Sequence, residues 1–172
     1  MFRVLLGDLE RRGTLQIHHR VPVDDGLWEG SELTFAEPVE VDLTLAMTGT
    51  GQIVGRGRLR TVLRYACRRC LAEVDRRFEM PLHLAWSPPD ELSDEGHEDE
   101  GLRVLPETAQ ELDLGEAIRE EILLTAPLYV ACREECKGLC PKCGTDWNQG
   151  ECECARADPD PRWAALRALE KE

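Results

Sequence analysis

VEVDLTLAMTGTGQIVGRGRLRTVLRYACRRCLAEVDRRFEMPLHLAW, residues 39–86, alternates apolar and polar side chains with few breaks. Val39, Val41, Leu43 and Leu45 stand between Glu40, Asp42 and Thr44, the period-two pattern of a strand with one face buried. Thr48-Gly49-Thr50-Gly51 turns the chain. A second strand is expected over residues 53–65, with Leu59, Thr61, Leu63 and Tyr65 on one face. Arg56, Arg58, Arg60 and Arg64 fall on the other, because side chains two apart share a face. Cys67-Arg68-Arg69-Cys70 makes the next corner. A third strand, residues 72–86, places Val74, Phe78, Met80, Leu82, Leu84 and Trp86 on its apolar side. Three strands joined by tight links predict an antiparallel meander and, with the helix described below, an α+β protein.

Outward from this core the pattern weakens. Residues 1–20 have short apolar runs broken by Gly7 and Gly13 and read as one or two short strands. Residues 21–38 read as a loop in which Trp28 and Phe35 are hydrophobic anchors. After residue 86 comes a run opened by two prolines. Within it, residues 90–100 hold seven acidic residues and no basic one, which marks a solvated linker at about 87–101. A short strand is expected at residues 102–106. A helix follows from Asp113, its cap, to about Thr125, with Glu116 as capping-box partner, a buried stripe of Leu114, Ala117, Ile118 and Ile122, and Pro127 as the stop. Residues 160–169 read as a final helix. Residues 1–130 are thus expected to form an α+β domain, and residues 131–172 a cysteine-rich segment with a terminal helix.

Six of the eight cysteines crowd into residues 132–154, CREECKGLCPKCGTDWNQGECEC. Cys140-Pro141-Lys142-Cys143-Gly144 has the logic of a metal knuckle. Two thiolates three positions apart face one ion, while the glycine permits a left-handed turn. The segment is too short and too poor in large apolar residues to fold by packing alone. Nothing in the N-terminal residues resembles a secretion signal and no apolar run approaches a membrane span, so a cytoplasmic location without a membrane is expected. That compartment favours metal ligation over disulfides. Soft, four-thiolate sites point to zinc first and iron second. Cys67, Cys70, Cys132, Cys136, Cys140, Cys143, Cys152 and Cys154 supply enough ligands for two such sites. Cys140 and Cys143 can join Cys152 and Cys154, or can join Cys67 and Cys70 across the fold. Spacing does not choose between them.

A closed four-thiolate site has no open position for water, so the metal is read as structural. The histidines do not cluster with the cysteines, and no phosphate loop, nucleophile elbow or zinc-protease motif is present. The expectation is a protein that is not an enzyme and has no small-molecule substrate. The formal net charge is −13, yet residues 56–77 carry +6 and leave −19 to the rest of the chain. Arg56, Arg58, Arg60, Arg64, Arg68 and Arg69 are the candidates for contacting a phosphate backbone. Stacking partners for bases are sparse, since Tyr65 lies on the apolar face and Trp147 in the cysteine segment.

Taken together, Cys67-Arg68-Arg69-Cys70-Leu71, REEILLTAP (residues 119–127), CKGLCPKCGTDWN (residues 136–148), Cys152-x-Cys154 and Asp160-Pro161-Arg162 closely resemble the YceD family. Its members are described as large ribosomal RNA subunit accumulation proteins. The resemblance implies a bacterial cytoplasmic protein, with plastid relatives, that supports accumulation or processing of 23S rRNA during ribosome biogenesis. It implies binding to rRNA or to a large-subunit precursor, and no catalytic residue. Two other readings stay open. The acidic surface can dock a basic ribosomal protein, or the cysteine pairs can act as a thiol redox switch.

Overall fold

The computed structural model describes residues 2–89, 101–154 and Arg162. Its elements in chain order are β1 (Arg3–Leu5), α1 (Leu6–Arg12), β2 (Thr14–Val21), a short 3-10 turn (Gly26–Trp28), β3 (Thr34–Phe35), β4 (Val39–Met47), β5 (Ile53–Ala66), β6 (Glu73–Ser87), β7 (Leu102–Val104), β8 (Glu111–Asp113) and α2 (Gly115–Thr125). The three predicted strands appear as β4, β5 and β6, each antiparallel to the next. The sheet runs β2-β4-β5-β6-β7, and β3 continues the β4 edge along the far half of β5. β1 and β8 form a separate two-stranded ribbon.

Alternation sets the faces. Val39, Val41, Leu43 and Leu45 of β4 are buried, as are Ile53, Leu59 and Leu63 of β5 and Met80, Leu82, Leu84 and Trp86 of β6. The same face of β5 carries Gly55 and Gly57, which let neighbouring strands and side chains come close. Against this surface pack Leu6 and Leu9 of α1 and Leu114, Ala117, Ile118 and Ile122 from the start and body of α2. A surface of this kind is stabilised by roughly 1.5–3 kcal/mol per large buried side chain. The arginine-bearing face is left to solvent.

Several expectations are refined. The N-terminal segment contains a helix as well as strands. Leu6 and Leu9 bury one side of α1, and Gly13, at φ 70°, ends it in the left-handed conformation. The sheet is not wholly antiparallel, because β7 joins β6 in parallel with Ala85 opposite Leu102. Asp113 does cap α2, but through an Asx turn. Its Oδ1 accepts from the Gly115 N–H at 2.9 Å, the N-cap position belongs to Leu114, and Glu116 lies 3.9 Å from Arg119 instead of closing a capping box. Trp28 and Phe35 anchor their loop as expected, both buried and with ring centroids 4.4 Å apart. The Trp28 indole N–H donates to the Pro22 carbonyl at 2.9 Å. The acidic stretch at residues 90–100, with His97, and the expected helix at residues 160–169 lie outside the described residues, apart from Arg162.

Candidate metal centres

β5 and β6 meet at the Cys67–Cys70 corner, and α2 delivers the chain to it from the other side. The corner is a tight turn. The Cys67 N–H donates to Ala72 O at 2.8 Å and the Leu71 N–H to Cys67 O at 2.9 Å. Cys140 to Thr145 repeats this pattern, with Cys140 N to Thr145 O and Gly144 N to Cys140 O both at 2.9 Å. Gly144 has φ 74°, and Leu71, its counterpart, has φ 61°. The protein therefore contains two knuckles of one design. The second obeys the usual glycine preference, and the first places an exposed leucine in the same left-handed position.

Each knuckle gathers a tetrad. Cys67 and Cys70 join Cys132 and Cys136, while Cys140 and Cys143 join Cys152 and Cys154, with all sulfurs of a tetrad within 4.8 Å of one another. Cys67 and Cys136 Sγ are 3.9 Å apart, and Cys70 and Cys132 Sγ are 3.7 Å apart. A thiolate tetrahedron around an ion at about 2.3 Å has edges of about 3.8 Å, whereas a disulfide needs about 2.05 Å. Each tetrad can hold a metal ion. Of the two groupings that spacing left open, the local one for Cys140, Cys143, Cys152 and Cys154 is found, and Cys67 and Cys70 turn instead to Cys132 and Cys136.

The thiol electrostatics point the same way. Cys67 is pulled down to about 6 by the backbone N–H groups of Cys70, Arg69 and Cys132. Cys143 is pulled down to about 6, first by the Thr145 hydroxyl and then by its N–H. Cys132 is pushed up to about 12 chiefly by Cys136 beside it, and Cys154 to about 12 chiefly by Cys143. Four thiolates this close cannot all carry charge in each other's presence. A divalent cation removes that conflict.

Residues that sequence reasoning passed over tie the two centres together. Asn148 donates from Nδ2 to Cys136 Sγ at 3.4 Å, while its Oδ1 accepts from Lys137 N at 2.9 Å and from Arg133 at 2.7 Å. Asp146 in turn accepts from the Asn148 backbone N–H and side chain. The half-buried Trp147 donates its indole N–H to Cys152 Sγ at 3.5 Å. Two arginines clamp the segment to the sheet. Arg69 donates to the carbonyls of Glu134 and Cys136, each at 2.9 Å, and Arg76 to those of Ala131 and Cys132 at 2.8 and 3.1 Å. The TDWN tetrapeptide beside a knuckle was the available signal for the first group. No local pattern announces the clamps, because their acceptors lie more than 50 residues away.

The arginine face is exposed but partly engaged. Arg60 reaches Asp42 at 2.7 Å, and Asp42 also holds His18 at 2.6 Å, so its carboxyl sits below the usual carboxylate range, first through His18 and then Arg60. Arg64 grips Asp75 through two bonds at 2.8 and 2.9 Å and likewise lowers its pKa. Arg58 stands 3.9 Å from Glu79. Among the described residues, the guanidinium groups of Arg56 and Arg68 meet no carboxylate or carbonyl. Ion pairs this exposed are weak, screened by solvent and salt, and open to displacement by a polyanion.

The family model described as "Large ribosomal RNA subunit accumulation protein YceD" matches residues 55–170. The chain belongs to the YceD family. All eight cysteines and all six arginines singled out above lie within the matched YceD region. Uncharacterized proteins of Mycobacterium tuberculosis and Mycobacterium bovis are each 34% identical over 129 residues, 74% of this chain and 60% of theirs. The chain thus spans about three fifths of the length of these mycobacterial relatives. A chloroplast protein of Arabidopsis thaliana, named as a YCED homolog for large ribosomal RNA subunit accumulation, is 31% identical over 67 residues, 39% of this chain and 21% of its own. No solved structure matches. No helix among the described residues is long and apolar enough to cross a membrane.

Proposed function

We propose that this YceD protein is a cytoplasmic, non-enzymatic factor that promotes accumulation or processing of 23S rRNA by binding the RNA or a large-subunit precursor. Two structural zinc ions, one per tetrad, staple residues 131–154 to the sheet. The observation that carries the RNA reading is the outward rank of Arg56, Arg58, Arg60 and Arg64 on β5, leading to Arg68 at the corner, in a chain whose net charge is −13. Such a row tracks phosphates, and its ion pairs to Asp42, Asp75 and Glu79 exchange for bidentate phosphate contacts. Arg69, held by two carbonyls, adds positive potential and not a direct contact. Four-thiolate centres leave no coordination site for a substrate, which supports a role without catalysis.

The test replaces Arg56, Arg58, Arg60 and Arg64 with glutamine. Glutamate would be a poor choice, since it would face Asp42 and Asp75 and destabilise the centre of the sheet by repulsion. Affinity for a 23S rRNA fragment should fall. The slope of log affinity against log salt should flatten by about 0.7–0.9 for each phosphate that an arginine no longer neutralises. An unchanged slope removes the arginine face from the proposal. The competing reading, an adaptor whose acidic surplus docks a basic ribosomal protein, predicts that nuclease treatment leaves a purified basic partner bound.

A further inference from the structure

The chain emerges from α2 with three large apolar side chains in solvent. Leu124, Leu128 and Tyr129 are 77%, 78% and 75% exposed. Residues 128–131 then run beside the Cys67–Cys70 corner, fixed by the Arg68 N–H donating to Val130 O at 2.8 Å. At that corner Leu71 is 66% exposed and holds a left-handed φ of 61°. Among the described residues, neither the Tyr129 ring and hydroxyl nor the Arg68 guanidinium has a partner. The Arg68–Val130 bond therefore sets the segment bearing an exposed aromatic ring against the corner bearing an uncommitted guanidinium, and these two segments, with exposed Leu71 and Leu128, form a ledge.

We infer that this ledge is a single-stranded RNA subsite, in which the Tyr129 ring stacks on a base and Arg68 pairs with a neighbouring phosphate. It rests on the RNA reading above and adds a site to it. Aromatic faces and arginines are what unpaired bases use, with stacking tolerant of sequence. The charge of the ledge selects among occupants. Around it Arg68, Arg69, Arg76 and Arg133, none of them paired with a carboxylate among the described residues, outnumber the exposed Glu73, Glu134 and Glu135, which favours phosphate over a basic ribosomal protein. The ledge is also preorganised. Cys132 follows it by three residues and joins Cys67 and Cys70 in the first tetrad, while Arg76 holds the Ala131 and Cys132 carbonyls. Ordering the ring before the base arrives lowers the entropic cost of stacking.

Stacking and phosphate contacts separate by their response to salt. Tyr129→Ala should weaken binding of a short fluorescent oligouridine about tenfold, with an unchanged salt slope and unchanged binding of a blunt RNA duplex. Tyr129→Phe should restore oligouridine binding. Arg68→Gln should flatten the oligouridine slope by about 0.7. Each variant should keep the metal content of the parent protein, which shows that the corner is intact. If Tyr129→Ala binds oligouridine like the parent while the β5 glutamine variant does not, the ledge is no RNA subsite although the arginine face is. If the parent protein binds neither RNA, both readings fall. If Tyr129→Ala leaves RNA binding intact and instead loses a purified, nuclease-treated large-subunit protein, the occupant is a protein and the inference is overturned.

Discussion

Cys136→Ser should remove one of two metal ions per chain and open residues 131–139 to trypsin after Arg133 and Lys137, while Lys142 inside the second tetrad stays protected and the sheet stays folded. The side chain is buried and belongs to the first tetrad. That tetrad forms the smaller of two apolar clusters, with Val74, Val130 and Ala131. So few apolar groups cannot replace the roughly 10–16 kcal/mol that a structural zinc site supplies on folding. The larger cluster, from Phe2 to Ala126, contains no cysteine and should survive. Elemental analysis gives the metal count, and mass spectrometry of the digest gives the cleavage sites. Parent protein that carries no metal when purified without chelator, or that resists trypsin equally with chelator, would sink the two-centre reading. Acid should act in the same direction as the mutation, because protons compete with metal for thiolates. The surroundings of the closed tetrads hold Cys67 and Cys143 at about 6, below an ordinary thiol, so this part of the preference for the closed state is complete above the unfolded thiol's pKa and is lost as the pH drops through about 6.

Gly57→Ala should cost about 3 kcal/mol or more and lower Tm by about 10 °C. Gly57 pairs with Leu43 across β4 and β5. A Cβ there would lie 2.0 Å from Asp42 O and 2.8 Å from Leu43 Cα. Both atoms are backbone, so the strands themselves must part. Gly55→Ala is the control two residues away. Its Cβ would meet Leu45 Cδ2 at 3.0 Å, a side-chain end that can rotate aside, and it should cost about 1 kcal/mol. Thermal melts of the two variants suffice. Equal losses would mean that the β4–β5 spacing is softer than the described geometry.

The sheet was readable because alternation is local. From Val39 to Trp86 each residue declares its face through its neighbours two positions away, and β4, β5 and β6 begin and end within about two residues of expectation. α1 escaped because Gly7 and Gly13 looked like breaks separating the apolar residues 4–6 from Leu15 and Ile17. Leu6 and Leu9 three apart, followed by Arg11, Arg12 and Gly13, carried the helix signal. β7 was expected as a strand at residues 102–106, but its parallel partner could not be anticipated, since parallel pairing depends on a crossover and not on any adjacent turn. The cysteines announced metal, but their partition into tetrads depends on α2 carrying Cys132 back to Cys67. The fate of each arginine depends likewise on register. Asp42 lies across from Arg58 and binds Arg60, Asp75 lies across from Arg64 and binds it, and such neighbours exist only once β4, β5 and β6 are aligned.

The two tetrads differ in how far apart their ligands lie along the chain. Cys140, Cys143, Cys152 and Cys154 fall within one short loop, so a nascent chain can capture its ion as soon as that loop is made. Cys67 and Cys136 are 69 residues apart, and Cys70 and Cys132 are 62 apart, with all of β6 and all of α2 between them. Closing a loop of that length ahead of the sheet is entropically unfavourable, so the first tetrad matures last. Its occupancy is a built-in readiness signal: a chain loaded at both centres has already completed its β-hairpin and seated its helix.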